Sequence, residues 1–256
     1  MISRLALIVP LLAVLFGPRA ARAAATNNPV EATLRGRRLV HELLERRPET
    51  NYTQTGILRI RPPKGRSIEY YLRCDVVVTP TNWQNIYQAI RTNADGSVGG
   101  GYLAVTHAGD GPGEYTWSDS PSAAADHQEH WSGTQWIHPF SGSDFWAFDL
   151  GLEFLHWPEQ KILRHEFRDT LGCSVLESTN PEPAANGYSR VLSWIDNDSG
   201  GLVHAEAYDA KGKLLKEYDT KKIQKMANGQ VQLQEMRIDN DQTDSRTRID
   251  FDVKPD

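Results

Sequence analysis

Regular alternation of apolar and polar side chains restricts the fold of this chain more than any other feature of its sequence. The alternation is clearest from Ile68 to Val78, where an apolar side chain recurs at every second position. Because successive side chains of a β-strand point to opposite faces of a sheet, this pattern predicts a strand with one buried face. Further runs typical of strands follow one another between residues 162 and 253, separated by turns rich in Asn, Asp and Gly, which favour hairpins.

A similar meander is predicted nearer the N-terminus. The runs Trp83–Arg91 and Tyr102–Val105 are separated by a glycine-rich stretch that includes Gly99–Gly101, which we interpret as a turn. The polar stretch Asp110–Ser132 is interpreted as a long loop. All runs together give about eleven antiparallel strands, enough to curl into a barrel or a wide half-barrel. We therefore predict a mainly β fold, a half-open antiparallel barrel.

One long helix is predicted before the strands, from Pro29 to Arg47. Proline suits the first turn of a helix, and Pro48 marks its end. Val40 and Leu43 share one side of the helical wheel, while charged residues occupy the other side. The helix should therefore lie across a hydrophobic surface as a lid.

The N-terminus has the pattern of a secretory signal peptide. Arg4 precedes an apolar run of about 12 residues, Leu5–Phe16, and small residues lead up to Ala23. The run is well short of the ~20 residues that a membrane-spanning helix needs. We predict cleavage after Ala23, so that residues 1–23 are the signal peptide and residues 24–256 form one exported domain.

The exported part is acidic. Residues 1–23 contain three basic residues and no acidic one, which leaves 25 basic residues against 33 acidic ones. This balance argues against a nucleic-acid partner, because phosphate binding needs a basic surface. Export also places Cys74 and Cys173 in an oxidising compartment, where they are candidates for a disulfide.

Potential catalytic and metal-binding residues do not form a known signature. His127, Glu129, His130 and His138 are the densest set of possible ligands, but their spacing fits neither H-E-x-x-H nor H-x-x-E-H. The sequence contains no G-x-S-x-G nucleophile elbow. We therefore expect neither a metal nor another cofactor, and no enzyme activity.

Aromatic side chains are concentrated between residues 131 and 157. They either fill an ordinary core or line an apolar cavity. Apolar walls would suit an acyl chain, since burial of apolar surface yields about 25 cal/mol per Å² and leaves no polar group unmatched. The candidates for a cavity lining are Trp136, Phe140, Phe145, Trp146 and Phe148.

The segment Ser141-Gly142-Ser143-Asp144-Phe145, followed by Asp149-Leu150, resembles the "GSDF…DL" signature of the outer-membrane lipoprotein-sorting proteins. That family is related to the periplasmic lipoprotein carrier and its outer-membrane receptor. The later succession of strand, hairpin and strand from Tyr188 to Lys216 looks like the same family.

The resemblance implies an incomplete barrel of about eleven strands, closed by helices around a hydrophobic cavity for lipid. It also implies a periplasmic protein that binds acyl chains of lipids or lipoproteins and meets the membrane sorting machinery. We expect this protein to be a soluble monomer. Within the signature, Gly142 would permit a tight turn, Asp144 would cap a helix, and Phe145 would point into the barrel.

Two alternatives remain open. The same half-barrel could serve an envelope sensor or scaffold that binds another protein. A secreted hydrolase that uses the His127 and His130 cluster is the second alternative.

Overall fold

The computed structural model describes residues 28–109, 111–121, 128–225 and 231–252. Thirteen strands of these residues form one antiparallel sheet. None of the helices in the described residues is long and apolar enough to cross a membrane. The predicted signal peptide, residues 1–23, lies outside the described part of the chain.

The strands are β1 (Tyr52–Arg61), β2 (Ile68–Val78), β3 (Trp83–Thr92), β4 (Val98–His107), β5 (Glu114–Ser118), β6 (Glu129–Trp131), β7 (Glu159–Arg168), β8 (Leu171–Thr179), β9 (Arg190–Asp196), β10 (Leu202–Tyr208), β11 (Leu214–Lys225), β12 (Val231–Asn240) and β13 (Ser245–Phe251).

Two meanders lie side by side in this sheet. The strand order is β6-β5-β4-β3-β2-β1-β13-β12-β11-β10-β9-β8-β7, so that β6 and β7 are the two edges. The antiparallel pairing of β1 with β13 joins the meander β1–β6 to the meander β7–β13. The predicted fold class, a mainly β antiparallel sheet that does not close, is confirmed.

The sheet curls around one hydrophobic core. Tyr115 of β5 and Leu176 of β8 belong to the same core, although they lie near opposite edges of the sheet. A flat sheet of thirteen strands would be about 60 Å wide, so such distant strands share a core only if the sheet curves. We call the face that carries this core the inner face and the opposite face the outer face.

The helix α1 (Pro29–Leu44) covers part of the inner face, as predicted. Its side chains Val40 and Leu43 are buried in the main core. The helix also packs closely on the edge strand β7 at Gly36, where a Cβ atom would lie 2.5 Å from the Cα of Lys161. A larger residue at this position would therefore push the helix away from the sheet.

The sheet has thirteen strands, whereas the sequence predicted about eleven. Two short strands, β5 and β6, lie in the stretch predicted as a loop. The interpretation of Gly99–Gly101 as a turn is also wrong, because these glycines lie inside β4. A Cβ atom on Gly100 would be 1.8 Å from the carbonyl oxygen of Ala89 in β3, so close pairing of the backbones requires glycine here.

A smaller hydrophobic cluster lies on the outer face of β8, β9 and β10. It contains Cys173, Val175 and Trp194, whereas Cys74 belongs to the main core on the inner face. Both thiols are buried and free. The predicted disulfide is therefore wrong, because strand alternation places the two side chains on opposite faces of the sheet.

Candidate functional site

The chain between the two edge strands crosses the interior of the curved sheet. We call residues 132–158 the inner segment; it connects β6 to β7 and contains the short helix α2 (Ala147–Gly151) together with 3₁₀ turns. Hydrogen bonds tie it to both meanders. The Tyr87 hydroxyl of β3 donates to the Leu150 carbonyl at 3.4 Å, and the Thr247 hydroxyl of β13 donates to Asp144 at 2.9 Å.

Glu153 fixes the far end of the inner segment to the loop before β5 and to β5 itself. Its buried carboxylate accepts hydrogen bonds from the Tyr115 hydroxyl at 2.8 Å and from the Gly113 amide at 2.9 Å. Burial raises the pKa of the Glu153 carboxyl group, and these two bonds oppose the rise. They compensate for the hydration that the group loses inside the protein.

The GSDF segment forms a tight loop that is held by the sheet. Gly142 has a φ of 75°, a left-handed conformation that glycine adopts without strain. The Asp144 carboxylate accepts hydrogen bonds from the Ser245 and Thr247 hydroxyls of β13. Asp144 is therefore not the helix cap that we predicted, because distant residues of the last strand occupy its oxygens.

Asp149, in the second half of the signature, has the capping role instead. Its carboxylate accepts a hydrogen bond from the Trp146 amide at the start of α2, at 2.8 Å. The other carboxylate oxygen accepts a hydrogen bond from the Tyr188 hydroxyl, also at 2.8 Å. The two aspartates of the signature thus join the inner segment to β13 and to the chain just before β9.

Lys216 of β11 is fully buried beneath these aspartates. Its ammonium group donates to the Asp144 carbonyl oxygen at 2.6 Å and lies 3.3 Å from a carboxylate oxygen of Asp149. It is also 3.4 Å from the centroid of the Trp146 ring, a cation–π contact. Burial lowers the pKa of Lys216 to about 8, and the Asp149 carboxylate opposes this effect.

A small inner cavity lies between the inner segment and strands β9–β12. Phe145 contributes to it from the inner segment and Ala205 from β10. Phe145 is 1% exposed and meets Tyr218 edge to face, with 6.5 Å between ring centroids. Among the described residues that line the cavity, Asp149 and Lys216 are the charged ones, and they pair with each other. Such walls suit an apolar ligand.

A second, larger cavity shares Tyr188 with the first. We call it the tryptophan groove, since Trp136, Trp146 and Trp157 line it together with Phe148. The rings of Trp146 and Tyr188 stack, with 4.7 Å between centroids and 20° between planes. This stacked pair forms part of the wall between the two cavities.

The five aromatic residues predicted as a cavity lining do not lie in one place. Phe145 lines the inner cavity, whereas Trp136, Trp146 and Phe148 line the tryptophan groove. Phe140 does not contribute to either of the two; it is buried edge-on against Tyr87, with 6.2 Å between ring centroids. The prediction assigned all five residues to one cavity, whereas four of them are divided between two neighbouring cavities.

Sequence reasoning missed three residues of this site: Lys216, Tyr188 and Ala205. One signal was available for Lys216, which precedes Tyr218 by two positions and so shares its face of β11. A lysine on the apolar side of a strand indicates a buried charge with a specific partner. For Ala205 the alternation identifies the inner face, but it does not show that space remains above a small side chain.

The histidines considered as metal ligands do not converge in the described part of the chain. His130 contacts the Thr116 hydroxyl at 3.3 Å, and His138 packs edge-on against Trp117 and Trp131. His127 lies outside the described residues.

Solved structures of other proteins share this fold. A DUF1329 family protein from Desulfovibrio piger has a TM-score of 0.68 at 18% sequence identity, over 86% of this chain and 91% of that one. A protein described as an outer membrane lipoprotein-sorting domain, from Vibrio parahaemolyticus, has the same TM-score and identity over 86% and 92%. A LolA superfamily protein from Nitrosomonas europaea has a TM-score of 0.54 at 17% identity over 87% and 92%. At these identities the likeness establishes the fold.

No curated protein matches the sequence. A family model described as "Uncharacterized protein"-like matches residues 99–253, which include part of β4, the inner segment and every strand from β5 to β13. This match covers more than half of the chain. The chain therefore belongs to that family, and its fold is that of the outer-membrane lipoprotein-sorting and LolA superfamily structures.

Proposed function

We propose that this protein is an exported carrier that holds acyl chains of lipids or lipoproteins inside its curved sheet and transfers them for sorting to the outer membrane. The observation that carries the proposal is the apolar inner cavity behind the inner segment. Its wall of aliphatic and aromatic side chains offers an acyl chain burial without unmatched polar groups. The likeness to lipoprotein-sorting folds supports the same class of ligand.

The arrangement of the two cavities supports binding rather than catalysis. Phe145 and Trp146 are neighbours in sequence but face the inner cavity and the tryptophan groove respectively. Tyr188 lines both cavities, which are therefore direct neighbours. The charged pair in the wall is already engaged within the protein, because Lys216 donates to the Asp144 carbonyl oxygen and Asp149 caps α2.

We further propose that the carrier acts in the periplasm after removal of residues 1–23. Expression of the full chain in a bacterial host should give a periplasmic protein whose mass corresponds to residues 24–256. Intact-protein mass spectrometry of the periplasmic extract measures this directly. An uncleaved chain that remains in the cytoplasm or membrane fraction would contradict the proposal.

Acyl-chain binding should weaken when the inner cavity is filled. We expect the change Ala205→Leu to lower the affinity for a fluorescent fatty acid by about tenfold. Displacement of about two methylene groups of the ligand costs about 1.6 kcal/mol, which corresponds to this factor. Fluorescence titration of the purified, delipidated protein measures the change.

The matched control is Ala104→Leu, the same change at an alanine of similar burial on the outer face of β4. This variant should keep the wild-type affinity. Equal affinities for all three proteins would show that acyl chains do not enter the inner cavity. Mass spectrometry of lipids extracted from protein purified without detergent should identify the natural cargo.

A further inference from the structure

A polar cluster lies on the outer face of β10 and β11, on the opposite side of the sheet from the cavities. His204 and Glu206 are two positions apart on β10 and share one face. The register places His204 opposite Asp219 and Glu206 opposite Glu217 of β11. Four side chains with oxygen or nitrogen ligand atoms therefore meet in two adjacent cross-strand pairs.

His204 is held in one orientation by Asp219. Its Nδ1 lies 2.8 Å from an Asp219 carboxylate oxygen, so Nδ1 carries a proton and donates to that carboxylate. The edge of the ring also meets Trp194, with 4.8 Å between ring centroids. The side chain is 2% exposed, and these contacts direct Nε2 toward the two glutamates.

The Nε2 atom of His204 is buried without a hydrogen-bond partner. The nearest carboxylate oxygen, on Glu206, is 3.6 Å away, too far for a hydrogen bond. A buried polar atom without a partner costs about 1–3 kcal/mol, so this arrangement calls for a group that Nε2 and the carboxylates can bind together.

The glutamates also lack a fixed cation. In the described residues, neither Glu206 nor Glu217 forms an ion pair with a lysine or arginine, and Glu206 accepts a hydrogen bond from the neutral Tyr208 hydroxyl. One ligand atom each from His204, Glu206 and Glu217 lies within 4.8 Å of the others. The Glu206 side chain is 23% exposed, which leaves the cluster open to solvent on one side.

We infer that His204, Glu206 and Glu217 form a binding site for a divalent transition-metal ion, with zinc as the best fit. Imidazole nitrogen and carboxylate oxygen are both zinc ligands, and three protein ligands leave the fourth position to water. The hydrogen bond that the other ring nitrogen, Nδ1, donates to Asp219 is the contact that typically orients a metal-binding histidine. The inference is independent of the proposed carrier function, because the site lies on the outer face.

Titration with Zn²⁺ alone tests the site. The chain is purified without a histidine tag, freed of metal with a chelator, and titrated against a chromophoric zinc indicator. We expect one Zn²⁺ per chain, with the affinity at least tenfold lower in Glu206→Gln and in Glu217→Gln. Both changes keep the side-chain shape and remove a ligand charge. Zn²⁺ should also raise the melting temperature of the wild type more than that of either variant.

The control is Glu69→Gln, which removes an exposed carboxylate that pairs with Arg59 on β1. It should bind Zn²⁺ like the wild type. Absence of stoichiometric Zn²⁺ binding, or unchanged affinity in both glutamine variants, would overturn the inference. Circular dichroism of each variant shows that a lost affinity is not caused by unfolding.

Discussion

Replacement of Phe145 by alanine is expected to lower the free energy of unfolding by about 3–5 kcal/mol, the usual cost of truncating a buried phenylalanine. Phe145 is 1% exposed, belongs to the main core and packs edge to face on Tyr218. It also lines the inner cavity, so its removal enlarges an existing space that the neighbours cannot easily close. Urea unfolding followed by circular dichroism measures the loss.

A fatty acid should restore part of this stability if the inner cavity is the binding site. The enlarged cavity accepts the acyl chain, and a ligand that binds the native state alone stabilises it. The control is Phe167→Ala, which truncates a side chain that is 83% exposed on β7 and should cost less than about 0.5 kcal/mol. A full loss of stability with unchanged fatty-acid affinity would show that Phe145 is a packing residue only.

The strands could be predicted because their cause is local. β2 and β10 begin and end where the alternation of apolar side chains does. The short strands β5 and β6 could not be predicted in this way, since five and three residues carry too little alternation. They form because β4 presents an unpaired edge, and β5 in turn extends the sheet to β6.

The candidate site was only partly predictable because its contacts join distant parts of the chain. Phe145 was predicted as part of a cavity lining, and it lines the inner cavity. The partners of Asp144 on β13 lie about a hundred positions further along the chain. Lys216 likewise meets Asp144 and Asp149 only because the inner segment crosses the sheet. Local patterns contain no information on such crossings.

The change Lys216→Met should lower the free energy of unfolding at pH 7 by about 3–5 kcal/mol, the cost of removing one partner of a buried charge pair. Methionine keeps the length of the side chain but cannot donate to the Asp144 carbonyl or neutralise Asp149. The matched control is Lys213→Met, at an exposed lysine of the preceding turn. That variant should differ from the wild type by less than about 0.5 kcal/mol.

The pH dependence of this difference identifies its origin. In the folded protein the pKa of Lys216 is lowered to about 8, whereas an unfolded lysine titrates near 10.4. Below pH 8 both states hold the proton, so the contribution is constant. Between pH 8 and about 10 the unfolded state holds more protons, and the free energy of unfolding of the wild type rises by up to about 1.4 kcal/mol per pH unit.

Lys216→Met lacks this rise, so the gap in unfolding free energy between the two proteins should widen as the pH increases. Subtraction of the two curves removes the contribution of the tyrosines, which both proteins share. A gap that stays constant or narrows over this range would contradict the lowered pKa of Lys216. The stability lost in the methionine variant would then come from packing.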